Sequence, residues 1–306
     1  MSNTKVWDIS RLTIRLLLGV FFIGTAVLKL LSIDNFEVYI YSFGIVNFVT
    51  VTLLSRLLIF IELLIGISLI LKICFKQIWW LTILMMVGFT LFLIYAAIFR
   101  NDSNCHCFGD LIELDPRQSI IKNIITIALL FFIRKEQSLD YKPVLKKWLV
   151  GVSIAVSFII PFVLVPMDII YNRIYSEKEN INTDAFYENL NDSAYVELHQ
   201  GRYLINYALA GCKYCRIGAE KVTMMIDRHG ISHDRLKFFI GGSDEAIDKF
   251  IETTGASDYQ HWKIPAPQFM AITFGQFPLY VFIEDGKVMN AGDFRMVDDK
   301  LIMLLQ

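Results

Sequence analysis

Long apolar runs fill the first half of the chain, whereas charged positions are spread through the second half. A helix that spans a bilayer needs about 20 mostly apolar residues. Runs that approach or exceed this length lie at residues 9–31, 48–73, 78–99, 120–133 and 148–165. The pattern therefore predicts an α-helical membrane bundle of four spans, followed by a fifth span that connects to the second half.

Charged residues interrupt some of these runs. The first run is compatible with lipid only if its cations extend toward the membrane surfaces, so we expect Arg11, Arg15 and Lys29 to snorkel. The second run contains Arg56 and Glu62 at membrane depth. Ionisable groups are costly there, so we interpret these two residues as either a structural ion pair or a functional intramembrane site. By depth, we expect the partner of Glu62 within the bundle to be Arg56 or Lys29.

The second half has the pattern of a soluble α/β domain. Apolar alternation and helical spacing predict the order β-α-β-α-β-β-α, with the last two strands joined at Asp285-Gly286, a strong turn signal. The strands are expected at 202–208, 236–240, 279–283 and 287–291, and the helices at 212–228, 244–253 and 297–305. This order implies a mixed sheet with helices on both faces.

Cations are concentrated in alternate gaps between the spans. They are Lys5, Arg11 and Arg15 before and at the start of the first span, Lys72 and Lys76 at and after the end of the second, and Arg134, Lys135, Lys142, Lys146 and Lys147 after the fourth. Cytoplasmic loops are enriched in Lys and Arg. We therefore expect a multi-pass protein of the cytoplasmic (inner) membrane, with a cytoplasmic N-terminus and a periplasmic or other extracytoplasmic C-terminal domain.

Composition supports lipid as one partner and argues against nucleic acid. The chain is 55% hydrophobic, more than a soluble domain needs, which indicates lipid contact. Its formal net charge is −1, so it lacks the excess of cations that proteins use to bind nucleic acid. Its five cysteines are too few for a disulfide-stapled scaffold. Four of them form two close pairs, and we interpret the fifth, Cys74, as a small apolar residue.

The strongest chemical signal is Cys212-Lys213-Tyr214-Cys215, which follows a predicted strand and opens a predicted helix. A helix N-terminus stabilises a thiolate on the first cysteine, which attacks a substrate disulfide, and the second cysteine then resolves the mixed disulfide. The alternatives are a zinc site, a c-type haem attachment and a purely structural disulfide. The haem reading would need His where the chain has Arg216, and a structural bridge would close too short a loop to stabilise much.

Residues 195–306 resemble the thioredoxin-like superfamily in the position of this Cys-x-x-Cys and of a proline before the hairpin. The resemblance implies a cis-proline at Pro278, and it implies that Phe277 and Pro278 help to bind the substrate. The chain departs from the family pattern at Gly211, where many members have Trp, and by an insertion at 255–276.

The second pair, Cys105-His106-Cys107, lies in the loop after the third predicted span, followed by Phe108-Gly109. A Cys-x-Cys disulfide forms a small strained ring, and strain makes a disulfide easier to reduce. Two alternatives remain for this loop: an inert cysteine pair, and a zinc or Cu(I) site that also uses His106 and Asp110.

Residues 8–135 resemble the MauE/DoxX-type, redox-associated membrane proteins. The shared features are four spans, Glu62 followed by Gly66, the C-x-C-F-G loop, and an early pattern of Arg15, Gly19, Gly24 and Lys29. The resemblance implies a disulfide relay or a maturation factor for exported proteins. The spans contain no Cys-x-x-Cys, so quinone coupling is not supported and no cofactor besides redox-active disulfides is expected.

The leading hypothesis is a membrane-bound thiol–disulfide oxidoreductase that uses Cys212, Cys215, Cys105 and Cys107 and acts on exported protein thiols and disulfides. Its electron donor or acceptor is not identified by the sequence. The expected organisation is a membrane domain at 1–135, a cytoplasmic linker and fifth span at 136–168, an extracytoplasmic linker at 169–194 and the thioredoxin-like domain at 195–306. The alternatives are a non-catalytic assembly factor and a metallochaperone.

Overall fold

The computed structural model describes residues 3–100, 102, 104–110, 112–136, 138–168, 170–171, 181–190 and 194–306. The chain forms two compact units. The first comprises Met1–Tyr39 and Leu53–Pro166, and the second comprises Ile40–Thr52 and Met167–Gln306. The predicted fold class is confirmed, because a group of long apolar helices is followed by an α/β domain with a mixed five-stranded sheet.

Six helices form the N-terminal part. They are α1 (Asn3–Leu31), α2 (Ile33–Tyr41), α3 (Phe48–Leu71), α4 (Phe75–Phe99), α5 (Pro116–Ile133) and α6 (Pro143–Ile159), the last continued by a π-helical turn at Ile160–Leu164. Within the described residues, five segments are long and apolar enough to cross a membrane, and they correspond to the five predicted spans. The short helix α2 was not predicted.

The fourth span begins earlier than its apolar run suggests. Asp115 caps α5 by accepting a hydrogen bond from the Gln118 backbone N–H at 2.7 Å, and the Gln118 side chain accepts one in return from the Asp115 N–H. Pro116 occupies the first helical turn, where its missing N–H costs nothing. The capping box therefore extends the predicted 120–133 segment to 18 residues.

Two glycines allow α1 and α3 to approach closely. A Cβ atom added to Gly66 would lie 2.8 Å from the Gly19 carbonyl oxygen, and one added to Gly19 would lie 3.0 Å from the Gly66 carbonyl oxygen. Small residues permit such contacts between membrane helices. Gly24 has no heavy atom within 4 Å of its hypothetical Cβ, so it has no such packing role.

The expectation that Arg15 and Lys29 snorkel is wrong, because carboxylates from other segments pair with them inside the bundle. The Arg15 Nε lies 3.1 Å from a Glu136 carboxylate oxygen, and the Lys29 Nζ lies 2.6 Å from Glu62 Oε1. Arg15 and Lys29 are only 4% and 3% exposed. The charge is thus satisfied by pairing, which removes the need to reach the membrane surface.

The second unit is built on one sheet with the strand order β4-β3-β2-β5-β6. After β1 (Cys107–Asp110) in the first unit, the strands are β2 (Arg202–Leu209), β3 (Leu236–Gly241), β4 (Gln260–Lys263), β5 (Leu279–Glu284) and β6 (Lys287–Gly292). Strands β2, β3 and β4 are parallel, whereas β5 runs antiparallel to β2 and β6. The central strand β2 has a run of five buried residues, as expected for a strand covered on both faces.

The helices of this unit are α7 (Thr183–Asn189), α8 (Lys213–His229), α9 (Asp244–Thr254), α10 (Ala266–Thr273) and α11 (Asp299–Met303). The segment 255–276, expected only as an insertion, contains β4 and α10. Phe269 and Ile272 of α10 are buried in the core of this unit. The insertion therefore extends the sheet and covers part of its core.

The segment 169–194, expected as a linker, is described only in part. Its helix α7 belongs to the core of the second unit, since Phe186 is fully buried and the Asn182 N–H donates to the Ile272 carbonyl at 2.9 Å. Apolar residues at Ile181 and Phe186 account for this packing. Residues 181–190 therefore belong to the folded second unit rather than to the linker expected at 169–194.

Asp299 is a polar centre within the second unit. Its carboxylate accepts hydrogen bonds from the Tyr41 hydroxyl and the Phe48 backbone N–H, both at 2.8 Å, and lies 2.9 Å from His229 Nε2. Burial alone would raise the pKa of Asp299, but the hydrogen bonds from His229, Phe48 and Tyr41 outweigh burial and lower it.

Candidate redox site

The Cys-x-x-Cys pair lies where the central strand passes into the longest helix of the second unit. Strand β2 ends at Leu209, and Cys212 is the N-cap residue of α8. Its sulfur accepts a hydrogen bond from the Cys215 backbone N–H at 3.3 Å. The sulfur of Cys212 thus lies among the unpaired N–H groups of a helix N-terminus, an environment that stabilises negative charge.

The two cysteines of this pair differ in accessibility. Cys212 is partly exposed, whereas Cys215 is fully buried. Burial raises the pKa of the Cys215 thiol well above its ordinary value, and its hydrogen bond with Cys212 adds to the rise. A backbone N–H from Leu209, 3.4 Å from the Cys215 sulfur, acts in the opposite direction. This difference suits an attacking Cys212 and a resolving Cys215.

Two neutral polar residues lie behind the pair and were not identified from the sequence. Asn206 of β2 and Tyr280 of β5 are fully buried, and the Asn206 side-chain amide donates to the Tyr280 hydroxyl at 2.8 Å. Burial raises the pKa of Tyr280, with a further electrostatic contribution from Cys215. Asn206 could have been noticed as the one amide inside an apolar strand, but its partner depends on the antiparallel pairing of β2 with β5.

The proposed substrate-binding residues lie at the same edge of the sheet as Cys212. Because β5 is antiparallel to β2 and Leu279 pairs with Tyr207, the start of β5 lies beside the end of β2. The Phe277–Pro278 peptide immediately before β5 is cis, as the resemblance implied. The Phe277 side chain is 42% exposed, so an apolar contact for a bound peptide is available there.

The Cys-x-Cys pair lies between α4 and α5 and is folded inward. Cys105 and Cys107 are 2% and 7% exposed and pack in a cluster with Leu93 of α4. The Cys105 backbone N–H donates to the Leu114 carbonyl at 2.8 Å, and its sulfur lies 3.0 Å from the Ser119 hydroxyl. The loop thus directs both sulfurs into the bundle rather than toward solvent.

The thiols of this pair are also unequal. A hydrogen bond from the Cys107 thiol lowers the pKa of the Cys105 thiol despite burial, and Ser119 adds a second hydrogen bond in the same direction. The same hydrogen bond, followed by burial, raises the pKa of Cys107 well above its usual range. This hydrogen bond therefore favours the state of the pair in which Cys105 is the thiolate and Cys107 keeps the proton.

The C-x-C-F-G sequence has a packing explanation. Gly109 adopts a positive φ of 62°, and a Cβ atom there would lie 2.4 Å from the Leu28 carbonyl oxygen of α1. The Phe108 ring packs edge-to-face with Phe21, with centroids 5.9 Å apart, and lies under the Lys122 Nζ at 4.8 Å. Glycine and phenylalanine together fix the loop against α1 and α5.

The structure separates the two intramembrane charges predicted as a site. Glu62 pairs with Lys29 and lines the same cavity as Cys107 and Lys122. Arg56 instead forms an ion pair with Glu37 of α2 and donates to the Val165 carbonyl at 3.0 Å. Glu62 is therefore close to the Cys-x-Cys chemistry, whereas Arg56 joins α2, α3 and the end of the fifth span.

Among the described residues, no three His, Cys, Asp or Glu side chains are arranged to hold a metal ion. The side chain of Asp110, part of the alternative metal site, lies outside the described part of the chain.

The N-terminal part matches the family described as methylamine utilisation protein MauE over residues 8–134. Residues 8–134 form a MauE-type domain. This confirms the resemblance on which the first part of the chain was interpreted, and the MauE-type domain contains α1 to α5 with the Cys-x-Cys loop. The chain is a multi-pass membrane protein.

The match to a full-length relative extends beyond the MauE-type domain. Protein TlpB of Flavobacterium psychrophilum is 29% identical over 300 residues, an alignment that covers 80% of this chain and 80% of that protein. No solved structure matches the chain.

Proposed function

We propose that the protein is a membrane-bound thiol–disulfide oxidoreductase with two dithiol centres. The observation that carries this proposal is the geometry at Cys212, whose sulfur caps α8 and accepts the Cys215 N–H at 3.3 Å. That arrangement stabilises a thiolate beside a buried resolving thiol. The MauE-type domain and the similarity to TlpB support a redox-related role at a membrane.

In the proposed reaction, the Cys212 thiolate attacks a disulfide of the substrate and forms a mixed disulfide, releasing one substrate thiolate. Cys215 then attacks Cys212, which forms the Cys212–Cys215 disulfide and releases the second substrate thiolate. The substrate gains two electrons and two protons, and the dithiol loses them. Phe277 and Pro278 would hold the substrate peptide beside Cys212, since they lie at the same sheet edge.

The proposed clients are exported proteins. The cation-rich gaps argue for a C-terminal domain on the extracytoplasmic side of the inner membrane, where disulfides form and persist. The electrons are carried by the cysteine pairs in this proposal, without a further cofactor.

The Cys-x-Cys pair is the proposed second centre, which exchanges two electrons with the Cys212–Cys215 pair. Both pairs belong to one chain, and tethering raises the effective concentration of one near the other, to the millimolar range for short flexible connections. In one direction the Cys212–Cys215 dithiol reduces a Cys105–Cys107 disulfide. In the other direction the Cys105–Cys107 dithiol reduces a Cys212–Cys215 disulfide. Since Cys105 and Cys107 are buried, the loop must open for sulfur to meet sulfur.

A Cys215→Ser variant tests the proposal, because it removes the resolving thiol and should accumulate mixed disulfides at Cys212. The expected products are disulfides to exported proteins and an intramolecular bond from Cys212 to Cys105 or Cys107, identified by peptide mapping after acid quenching. The matched control is Cys212→Ser, which should trap neither product.

Two results would contradict parts of the proposal. Equal trapping by Cys215→Ser and Cys212→Ser would remove the role of Cys212 as nucleophile. The exchange between the two cysteine pairs would be contradicted if Cys215→Ser trapped only other proteins, and if the redox state of Cys212 stayed the same in a variant without Cys105 and Cys107.

A further inference from the structure

A small cavity lies inside the helical bundle beside the Cys-x-Cys pair. Its wall contains aromatic and methionine side chains together with a group of polar ones. The polar members are Thr25, Lys29, Glu62, Cys107, Lys122 and Asn123. The cavity has room for about one water molecule. It therefore brings an ionisable carboxylate and two lysines together around one cysteine of the pair.

Glu62 has unused hydrogen-bonding capacity at this cavity. The residue is 4% exposed, and Lys29 occupies its Oε1 at 2.6 Å. Among the described residues, no donor reaches its buried Oε2. A buried carboxylate oxygen without a partner is costly, and a water in the cavity would satisfy it. Such a water would also connect Glu62 with the other polar groups of the wall.

Cys107 is the thiol in the wall of this cavity, and it must lose its proton before its sulfur can attack. Its hydrogen bond to Cys105 is the largest cause of its raised pKa, ahead of burial. Once Cys105 has entered a mixed disulfide, that cause disappears, whereas the attraction of Lys122 and Lys29 for a Cys107 thiolate remains. The proton can therefore leave Cys107 at the step in which its sulfur must become a nucleophile.

We propose that Glu62 accepts the proton of Cys107 through a water in this cavity, and that Lys122 stabilises the resulting thiolate. The inference rests on the proposed redox function of the Cys105–Cys107 pair and assigns its proton acceptor. The charged or titratable groups around the cavity are Lys29 from α1, Glu62 from α3 and Lys122 from α5, with Cys107 beside Cys105 in the loop. The α4 residues in the wall are Met85, Met86 and Phe89, which are uncharged.

The reaction balances with a disulfide as oxidant. The Cys105 thiolate attacks the disulfide, forms a mixed disulfide and releases one thiolate, which takes a proton from solvent. Cys107 passes its proton to Glu62 and attacks the Cys105 sulfur, which forms the Cys105–Cys107 bond and releases the second thiolate. That thiolate is also protonated, and Glu62 returns to its carboxylate by releasing the proton it received.

The test is a single-turnover oxidation of the full-length protein in lipid nanodiscs with cystamine, a small disulfide. Cys74, Cys212 and Cys215 are changed to Ser so that only the Cys-x-Cys pair reacts, and acid quenching with mass mapping separates the mixed disulfide from the closed pair. Glu62→Gln should leave formation of the Cys105 mixed disulfide unchanged. It should slow closure of the Cys105–Cys107 bond by about 100-fold, the size of effect expected when a general base is removed.

The pH profile separates proton transfer from structural damage. In Glu62→Gln only hydroxide can take the proton, so the closure rate should rise about tenfold per pH unit, more steeply than in the parent. Glu62→Asp should restore part of the rate, and Lys122→Gln should slow closure without the steeper profile. The matched control is Glu37→Gln, because Glu37 is buried and ion-paired but does not line the cavity.

Closure in Glu62→Gln at the parental rate and with the parental pH profile would overturn the inference. Equal slowing by Glu37→Gln would also overturn it, since any loss of a bundle charge would then suffice. If Glu62→Gln does not fold, the Lys29→Met, Glu62→Gln double variant, which removes both charges of the ion pair, takes its place with the same expected result. A parent protein that forms no Cys105–Cys107 disulfide would contradict the proposed function of the pair, and the inference with it.

Discussion

At the scale of single residues, burial and hydrogen bonding make the two cysteines of each pair differ in how readily they lose a proton. Cys212 is accessible at a helix N-terminus, whereas Cys215 is buried and retains its proton. Cys105 gains its thiolate character from a hydrogen bond donated by Cys107. A single hydrogen bond or a change in exposure is sufficient to divide each pair into an attacking and a resolving thiol.

Asp299 provides a pH-dependent contribution to stability at this scale. Its pKa in the folded protein lies below the ordinary value of an aspartate, so the folded state prefers the carboxylate. The contribution is therefore fully present above about pH 4 and is lost as the pH falls through the lower folded value. Asp299→Asn should lower the unfolding free energy by about 2 kcal/mol at neutral pH, since it weakens hydrogen bonds to a charged group.

The measurement is thermal unfolding of the full-length protein from pH 7 to pH 3, with Asp234→Asn as an exposed control. The difference between Asp299→Asn and the parent should shrink toward the acid end. A difference that stays constant over this range would show that the Asp299 carboxylate is not the stabilising species.

At the scale of secondary-structure elements, close packing and paired charges determine how the helices fit together. The contact of Gly19 with Gly66 brings α1 against α3, and the Lys29–Glu62 ion pair joins the same two helices. The Asp115 capping box sets the start of α5 just after the Cys-x-Cys loop. These contacts also fix the position of the Cys-x-Cys loop, because Gly109 packs against the Leu28 carbonyl near the end of α1.

Gly66→Ala should destabilise the bundle by about 1–3 kcal/mol, because the new methyl group would overlap Ile23 and the Gly19 carbonyl. Gly24→Ala is the matched control in the neighbouring helix, and it should be neutral or slightly stabilising since nothing lies within 4 Å of its Cβ position. Thermal unfolding in detergent or nanodiscs compares the two. Equal effects of the two substitutions would contradict the close approach of α1 and α3.

The sequence was informative wherever a local pattern carried the signal. The length of apolar runs was enough to predict the five span-capable helices, and alternation with turn residues was enough to predict β2, β3 and the β5–β6 hairpin. The sequence predicted less well those features that depend on a partner distant in the chain, such as ion pairs and strand pairing. Depth in the membrane allowed either Lys29 or Arg56 as the partner of Glu62, and only the packing of α1 against α3 selects Lys29. Likewise, four-residue β4 becomes a strand only by pairing with β3. The inward direction of Cys107 likewise depends on packing against other helices.

At the scale of the whole molecule, one chain combines a MauE-type membrane domain with a soluble α/β domain. The membrane part holds one cysteine pair inside the bundle, and the soluble part presents the other at a sheet edge. The proposed direction of insertion is what gives both pairs access to the same compartment, because the Cys-x-Cys loop and the C-terminal domain both follow odd-numbered spans.

A reporter that fluoresces only in the cytoplasm, fused after Gln306, should stay dark in cells if the C-terminal domain is extracytoplasmic. A second fusion made after Lys135, beyond the fourth span, is the matched control and should be bright. A bright fusion at Gln306 would place the Cys212–Cys215 pair in a reducing compartment and contradict the proposed clients.

The reduction potential of the Cys212–Cys215 pair tests the central claim most directly. The full-length protein, with its other three cysteines changed to Ser, is equilibrated with thiol–disulfide buffers and its free thiols are counted. An exchange catalyst should show one reversible two-electron transition between about −270 and −120 mV. A pair that forms no disulfide, or one that remains oxidised below about −300 mV like a structural disulfide, would contradict the account.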